Sequence, residues 1–230
     1  MNNSVLDAIR GGIIISCQAV EEDPTYGTPF MVAFAQAAKL GGAVGIRCNG
    51  PEDVAAIDRA TGLPIIGIWK RPCSDEYGHI ITPTVEDARA VAEAGADIVA
   101  VDVTDRPRPR GMDAVTLIRR IRSELGVLVM ADCYDLAQAV RAEEAGADIA
   151  ATTLGFPPGL GPYEPNLSLM RQMCHTVNIP VIAEGQYWDV ENVRRAFDAG
   201  VWAVVIGSAV TRPWLITQRF VEGSPRGRRE

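Results

Sequence analysis

A pattern that returns four times constrains this chain more than any other feature. The strings KLGGAVGIRC (39–48), EAGADIVAVD (93–102), EAGADIAATT (144–153) and DAGVWAVVIG (198–207) share one layout. Each reads as a helix end, a glycine stop, and a short apolar run closing on a polar or small residue. Their glycines, Gly41, Gly95, Gly146 and Gly200, stand 54, 51 and 54 residues apart. That period is too long for one strand–helix unit and right for two.

A second set of apolar runs lies between the repeats, at 13–17, 64–69, 128–131 and 180–183. These runs of Ile and Val show no two-residue alternation, as expected of parallel strands buried on both faces. Interleaving the two sets gives eight strands, with about 29 residues per strand–helix unit. Helix starts are readable in the gaps: Thr28 with Pro29, Asn49 to Pro51, and Thr84 with Asp87 as a capping-box variant. An open doubly wound sheet uses the same local signals, but the fourfold recurrence and the length favour a closed (βα)8 TIM barrel. The reading is one barrel domain over 1–222, with the polar segment 223–230 (GSPRGRRE) as a frayed tail.

Composition narrows the function. The 230 residues carry 22 basic and 29 acidic side chains, a net charge of −7, which argues against a nucleic-acid partner. No apolar stretch approaches the roughly 20 residues of a membrane span, and the start MNNSVLDAIRGG lacks the form of a signal peptide. The five cysteines are odd in number and show no C-x-x-C, which fits reduced thiols in a cytoplasmic protein better than a disulfide framework. His79 and His175 are the only histidines, too few for a three-histidine centre, and no metal site is expected. Lysine is nearly absent as well: only Lys39 and Lys70 occur, so each invites a reason.

In barrels of this kind chemistry gathers where strands run out into loops. The residues there are Gln18, Arg47, Lys70, Asp102, Asp132, Thr152 with Thr153, Glu184 with Gly185, and Gly207 with Ser208. Nearly all are polar and directly follow apolar runs, and polar groups crowding one rim need partners. Lys70, ending PIIGIWK, could form a Schiff base with a carbonyl or transfer a proton after its pKa falls. Glu184, ending IPVIAEG, could be raised by burial, and Asp132 could orient a hydroxyl or ring oxygen. Two titratable groups of opposite type facing one ligand can work on a carbon from two sides. Gly185 and Gly207-Ser208 permit close backbone approach to a phosphate, and Arg212 lies just beyond to grip one. Neither G-x-x-x-x-G-K-[ST] nor G-x-G-x-x-G occurs.

Several stretches are recognisable together: SCQA (16–19), GGAVGIR (41–47), LPIIGIWKR (63–71), ITPT (81–84), AGADIVAVDVTDRPRP (94–109), MADC (130–133), TTL (152–154), IPVIAEG (179–185) and VVIGSAVTRP (204–213). In this order they closely resemble the N-acetylmannosamine-6-phosphate 2-epimerases of bacterial sialic-acid catabolism, over about residues 11–220. The resemblance implies a cofactor-independent barrel, a homodimer, that interconverts N-acetylmannosamine 6-phosphate and N-acetylglucosamine 6-phosphate. It puts the family's catalytic lysine on Lys70 and its glutamate on Glu184. Its sugar-contacting residues fall on Gln18, Arg47 and Asp132, and its phosphate-binding arginine on Arg212. With the strand-end reading, Thr153 joins the substrate contacts and Gly185, Gly207 and Ser208 join the phosphate site.

The chain departs from the family at Gln186, where a basic residue is usual, and at Gly155-Phe156-Pro157-Pro158, where the loop is shortened. Trp69 and Tyr187-Trp188 add bulk. These positions point to a shift in sugar preference. Two rival functions share the same residues: a class I aldolase using Lys70 as a Schiff-base amine, and a phosphosugar-binding protein without turnover.

Overall fold

The structure is a computed structural model that describes residues 3–74 and 78–225. Eight parallel strands close into a barrel: β1 (Ile13–Cys17), β2 (Gly45–Asn49), β3 (Ile65–Ile68), β6 (Ile98–Asp102), β7 (Leu128–Asp132), β8 (Ile149–Ala151), β9 (Val181–Glu184) and β10 (Ala203–Ile206). Each pairs with its neighbour in chain order, and β10 returns to β1 through Ile13 opposite Val204. Every strand read from the sequence is present. The two missing numbers, β4 (Lys70–Pro72) and β5 (His79–Ile81), form an antiparallel hairpin on the rim that no apolar run announces.

The continuous apolar runs follow from burial on both faces. Ile14, Ile66, Ile68, Ile98, Met130, Ile182 and Val205 turn inward and fill the barrel. Their alternates Ile15, Ile46, Ile65, Val99, Val129 and Val181 turn outward under the helices. Helix α1 (Asn3–Ile9) closes one end of the barrel, with Ile9, Val5 and Leu6 joining the inner cluster. Trp202 secures it by donating its indole N–H to the Leu6 carbonyl at 2.8 Å.

Helices alternate with the strands, and most begin on a side chain that caps its own first turn. Thr84, Asp113, Asp135, Asn166 and Asp189 each accept from the backbone N–H three residues on, opening α4 (Val85–Glu93), α5 (Ala114–Leu125), α6 (Leu136–Ala145), α7 (Leu167–Thr176) and α8 (Val190–Asp198). Two expected caps are corrected. Gly27 and Gly50 occupy the cap positions of α2 (Thr28–Leu40) and α3 (Pro51–Thr61). Thr28 instead donates to Asp53 at 2.6 Å, and Asn49 is committed to the backbone of Lys70. The repeat glycines Gly95, Gly146 and Gly200 take positive φ; in the first copy Gly42, not Gly41, does so.

The chain ends in a short helix, α9 (Ser208–Thr211), and in α10 (Pro213–Glu222). Of the expected tail, 223–225 form a turn after α10, and 226–230 lie outside the described residues. Among the described residues no helix is long and apolar enough to cross a membrane.

Candidate active site

The strands deliver their polar ends to one mouth of the barrel, where an open cleft of about 280 Å³ lies. Gln18, Lys70 and Glu184 line it, together with Gly185, Gly207, Ser208 and Arg212. Seven of the ten residues expected from sequence therefore share one cavity.

The other three lie around Glu184. Arg47, 1% exposed, grips Asp132, 0% exposed, through two hydrogen bonds of 3.0 and 2.7 Å. The Nη1 that donates to Asp132 also donates to the Glu184 Oε2 at 2.7 Å. Thr153 donates its hydroxyl to Asp132 at 2.6 Å and lies 3.2 Å from the same Glu184 oxygen. Thr152 closes the arrangement by accepting from the Glu184 N–H at 3.0 Å and donating to its carbonyl at 2.9 Å. Arg47 and Thr153 thus hold the carboxylate of Glu184 and are themselves held by Asp132, and none of the three is among the lining residues of the cleft. Two buried polar atoms of this region remain without a partner: Gln18 Oε1 and Arg47 Nε.

Lys70 stands differently from its reading as a strand end. Barrel pairing stops at Ile68, opposite Asn49, and Lys70 opens the hairpin as the partner of Ile81. Burial pulls its amine down from 10.5 to about 8; the like charge of Arg47 adds to that, and Glu184 opposes it. Burial pushes Glu184 the other way, from 4.5 up to about 7, against the pull of Arg47. An amine and a carboxyl of ordinarily distant pKa are brought close together in one cleft, a mark of acid–base chemistry.

At the other end of the cleft Arg212 joins α9 to α10. Its guanidinium meets Asp23 at 3.1 Å, and Asp23 is fixed by the Val20 N–H at 3.1 Å and the Trp214 indole at 3.0 Å. The sequence carries no periodic or motif signal for Asp23, which lies in the loop after β1. Asp102, another strand-end residue, is buried away from the cleft, ion-paired to Arg106 and Arg108.

Of the departures from the family pattern, Phe156, Gln186, Tyr187 and Trp188 meet at the wall of the cleft, and Trp69 does not line it. The Phe156 ring lies against Gly185, whose φ is +105° and where an added Cβ would fall 2.0 Å from Phe156 Cζ, so no side chain fits there. Trp188 donates to Gln186 at 2.9 Å and meets Tyr163 edge-on at 5.1 Å. Arg219 of α10 covers both rings, at 4.5 Å from Tyr163 and 5.1 Å from Trp188.

Residues 31–224 match the family model NanE, described as "Putative N-acetylmannosamine-6-phosphate epimerase". A protein of Clostridioides difficile named "Putative N-acetylmannosamine-6-phosphate 2-epimerase" is 43% identical over 220 residues, covering 95% of this chain and 98% of its own. One of that name from Caldanaerobacter subterraneus subsp. tengcongensis is 40% identical over 227 residues, covering 96% and 94%. The solved N-acetylmannosamine-6-phosphate 2-epimerase of Clostridium perfringens superposes with a TM-score of 0.88 at 37% identity, covering 95% of this chain and 96% of that one. A thiamine phosphate pyrophosphorylase of Pyrococcus furiosus, 20% identical with a TM-score of 0.61, shares the fold alone. With most of its length matched by the family model and by relatives of this identity, the chain belongs to the N-acetylmannosamine-6-phosphate epimerase family.

Proposed function

We propose that the protein interconverts N-acetylmannosamine 6-phosphate and N-acetylglucosamine 6-phosphate by moving the proton at C2, with no cofactor. In the open-chain sugar the C1 aldehyde acidifies C2–H. One of Lys70 and Glu184, in its neutral or carboxylate form, takes that proton, and the electron pair spreads onto the C1 oxygen as an enediolate-like intermediate. The other, in its protonated form, returns a proton to the opposite face of C2. In the reverse direction the two exchange roles.

The observation that carries this reading is the convergence of Lys70 and Glu184 on one cleft with pKa values of about 8 and about 7. Groups poised near neutrality serve as both acid and base. Arg212, Ser208 and the backbone at Gly185 and Gly207 form the phosphate end in this reading. Arg47 and Thr153 hold Glu184 and are themselves held by Asp132, while Gln18, which lines the cleft, meets the sugar. The expected assembly is a cytoplasmic homodimer without a nucleic-acid partner; Trp214, Phe220 and Val221, exposed on α10, support an interface there, and light scattering measures it.

Proton NMR of N-acetylmannosamine 6-phosphate turning over in heavy water tests the chemistry. Both bases exchange with solvent, so the product's C2 proton signal should vanish and its C3 signal simplify. Fragments would point to an aldolase, and unchanged sugar to a binding protein. Product that keeps its C2 proton would mean a single shielded base, and the two-base assignment would fall.

A further inference from the structure

Lys70 lies beyond the end of its barrel strand, on a segment that barrel pairing does not hold. The last barrel partners are Gly67 with Val99 on one side and Ile68 with Asn49 on the other. A long side chain on such a segment would sweep a wide volume, whereas proton transfer needs it within hydrogen-bond reach of one carbon. Something outside the barrel ladder must aim it.

Two side chains grip the backbone there. The Asn49 amide oxygen accepts from the Lys70 N–H at 2.8 Å. The Thr82 hydroxyl accepts from the Trp69 N–H at 3.0 Å, and the Thr82 N–H donates back to the Trp69 carbonyl at 2.9 Å. Thr82 is fully buried and holds φ at 45°, left-handed backbone that a β-branched residue seldom adopts. Strain of this kind persists only where the surroundings enforce it, and it gathers at functional sites. A glycine would relieve it, but a glycine has no hydroxyl to offer Trp69. This also gives work to the ITPT stretch, where Thr84 caps the following helix and Thr82 is otherwise unexplained.

We propose that Asn49 and Thr82 form a two-point clamp on Trp69 and Lys70 that aims the Lys70 amine into the cleft, and that both are positioning residues. The role in turnover rests on the epimerase reading above; the aiming of Lys70 does not, and the two can be measured apart. The chain has only two lysines, so protein labelled with 13C at lysine Cε gives two resonances, assigned by Lys70→Arg, with Lys39 as the internal control.

The variants are Asn49→Ala, Thr82→Gly and Thr82→Ser. With the clamp opened, Lys70 reaches water and its titration should move from about 8 toward 10.5, by about half a pH unit or more, in Asn49→Ala and Thr82→Gly. Thr82→Ser, which keeps the acceptor, should titrate as wild type, and Lys39 should not move in any of them. In turnover, kcat should fall about 10- to 100-fold with KM little changed, and Thr82→Ser should restore it. An unshifted Lys70 titration in both Asn49→Ala and Thr82→Gly would overturn the clamp, whatever their melting points. So would a Thr82→Ser variant as impaired as Thr82→Gly. A shifted titration in a protein whose wild type leaves the sugar unchanged would keep the clamp and remove the epimerase reading.

Discussion

Replacing Arg47 with methionine tests whether charge holds the floor of the site together. Methionine fills much of the arginine's volume, so packing is largely kept while the cation is removed. The change strips Asp132 of both its guanidinium bonds and Glu184 of a 2.7 Å partner, in surroundings where Arg47 and Asp132 are almost fully buried. Removing one partner of a buried ion pair costs about 3–5 kcal/mol. For a domain of this size that lowers the melting temperature by on the order of 10 °C. The loss should depend on pH with a definite sign. Glu184 already titrates near 7 in the folded protein, above its ordinary 4.5, with Arg47 pulling it down against burial. Without Arg47 its folded pKa rises further. The stability tied to a raised carboxyl is fully present below 4.5 and is lost as pH rises through the folded value. Urea unfolding at pH 5.5 and 8.5 should therefore show a penalty at both values from the lost Asp132 pair, and a larger one at the higher pH from Glu184. An equal penalty at both would refute the Glu184 argument and leave the Asp132 pair and lost packing as the cause.

Other perturbations read the chemistry directly. Lys70→Ala or Glu184→Gln should fold normally and lose two to four orders of magnitude in rate, about the range of an acid or base group; near-normal turnover in either removes that residue from the mechanism. Arg212→Ala should raise KM for the 6-phosphate and leave residual turnover of the unphosphorylated sugar unchanged; equal losses on both would make Arg212 a structural residue paired to Asp23. The pH profile of kcat/KM should be a narrow bell in both reaction directions, with limbs near 7 and 8, because either direction needs one proton shared between the two groups. A flat profile from pH 6 to 9 would contradict it.

How much of this was legible in the sequence depended on whether a residue's role is local or distant. The eight strands announce themselves because burial on both faces demands uninterrupted Ile, Val and Ala. The helix stops announce themselves because only glycine takes the left-handed turn cheaply. Gln18, Lys70, Glu184 and Ser208 are readable as polar groups at or just past strand ends, since the barrel sends those ends to one mouth. What could not be read is which polar groups face the cavity and which face one another. Arg47 and Asp132 follow apolar runs just as Glu184 does, yet their bond spans 85 residues of chain and leaves them buried around it. The hairpin carrying Lys70 was hidden for another reason. Its strands are three residues each, and one holds Arg71 and Pro72 where a strand signal would need apolar side chains. Asn49 looked like a helix cap because asparagine before glycine and proline usually is one; the nearby Lys70 N–H claimed it instead.

Burial and charge do different work at this site. An ordinary amine at 10.5 and an ordinary carboxyl at 4.5 lie about six pH units apart, so passing a proton from ammonium to carboxylate costs about 8 kcal/mol. An enzyme that moves a proton across a substrate ends each turnover with that proton on the other base. With an 8 kcal/mol gap, one of the two starting forms would be almost unpopulated and turnover would be slowed in both directions. Burial lowers the amine and raises the carboxyl, leaving about 8 against about 7, so that most of the gap closes. Arg47 does not narrow that gap, because its positive charge lowers both groups together. Its effect is to set where on the pH scale the matched pair operates. Without it, burial would still bring the two together, but higher on the scale, with Glu184 protonated through the neutral range. In the proposed mechanism the apolar barrel thus keeps both starting forms populated, and the buried arginine places their titration near neutral pH.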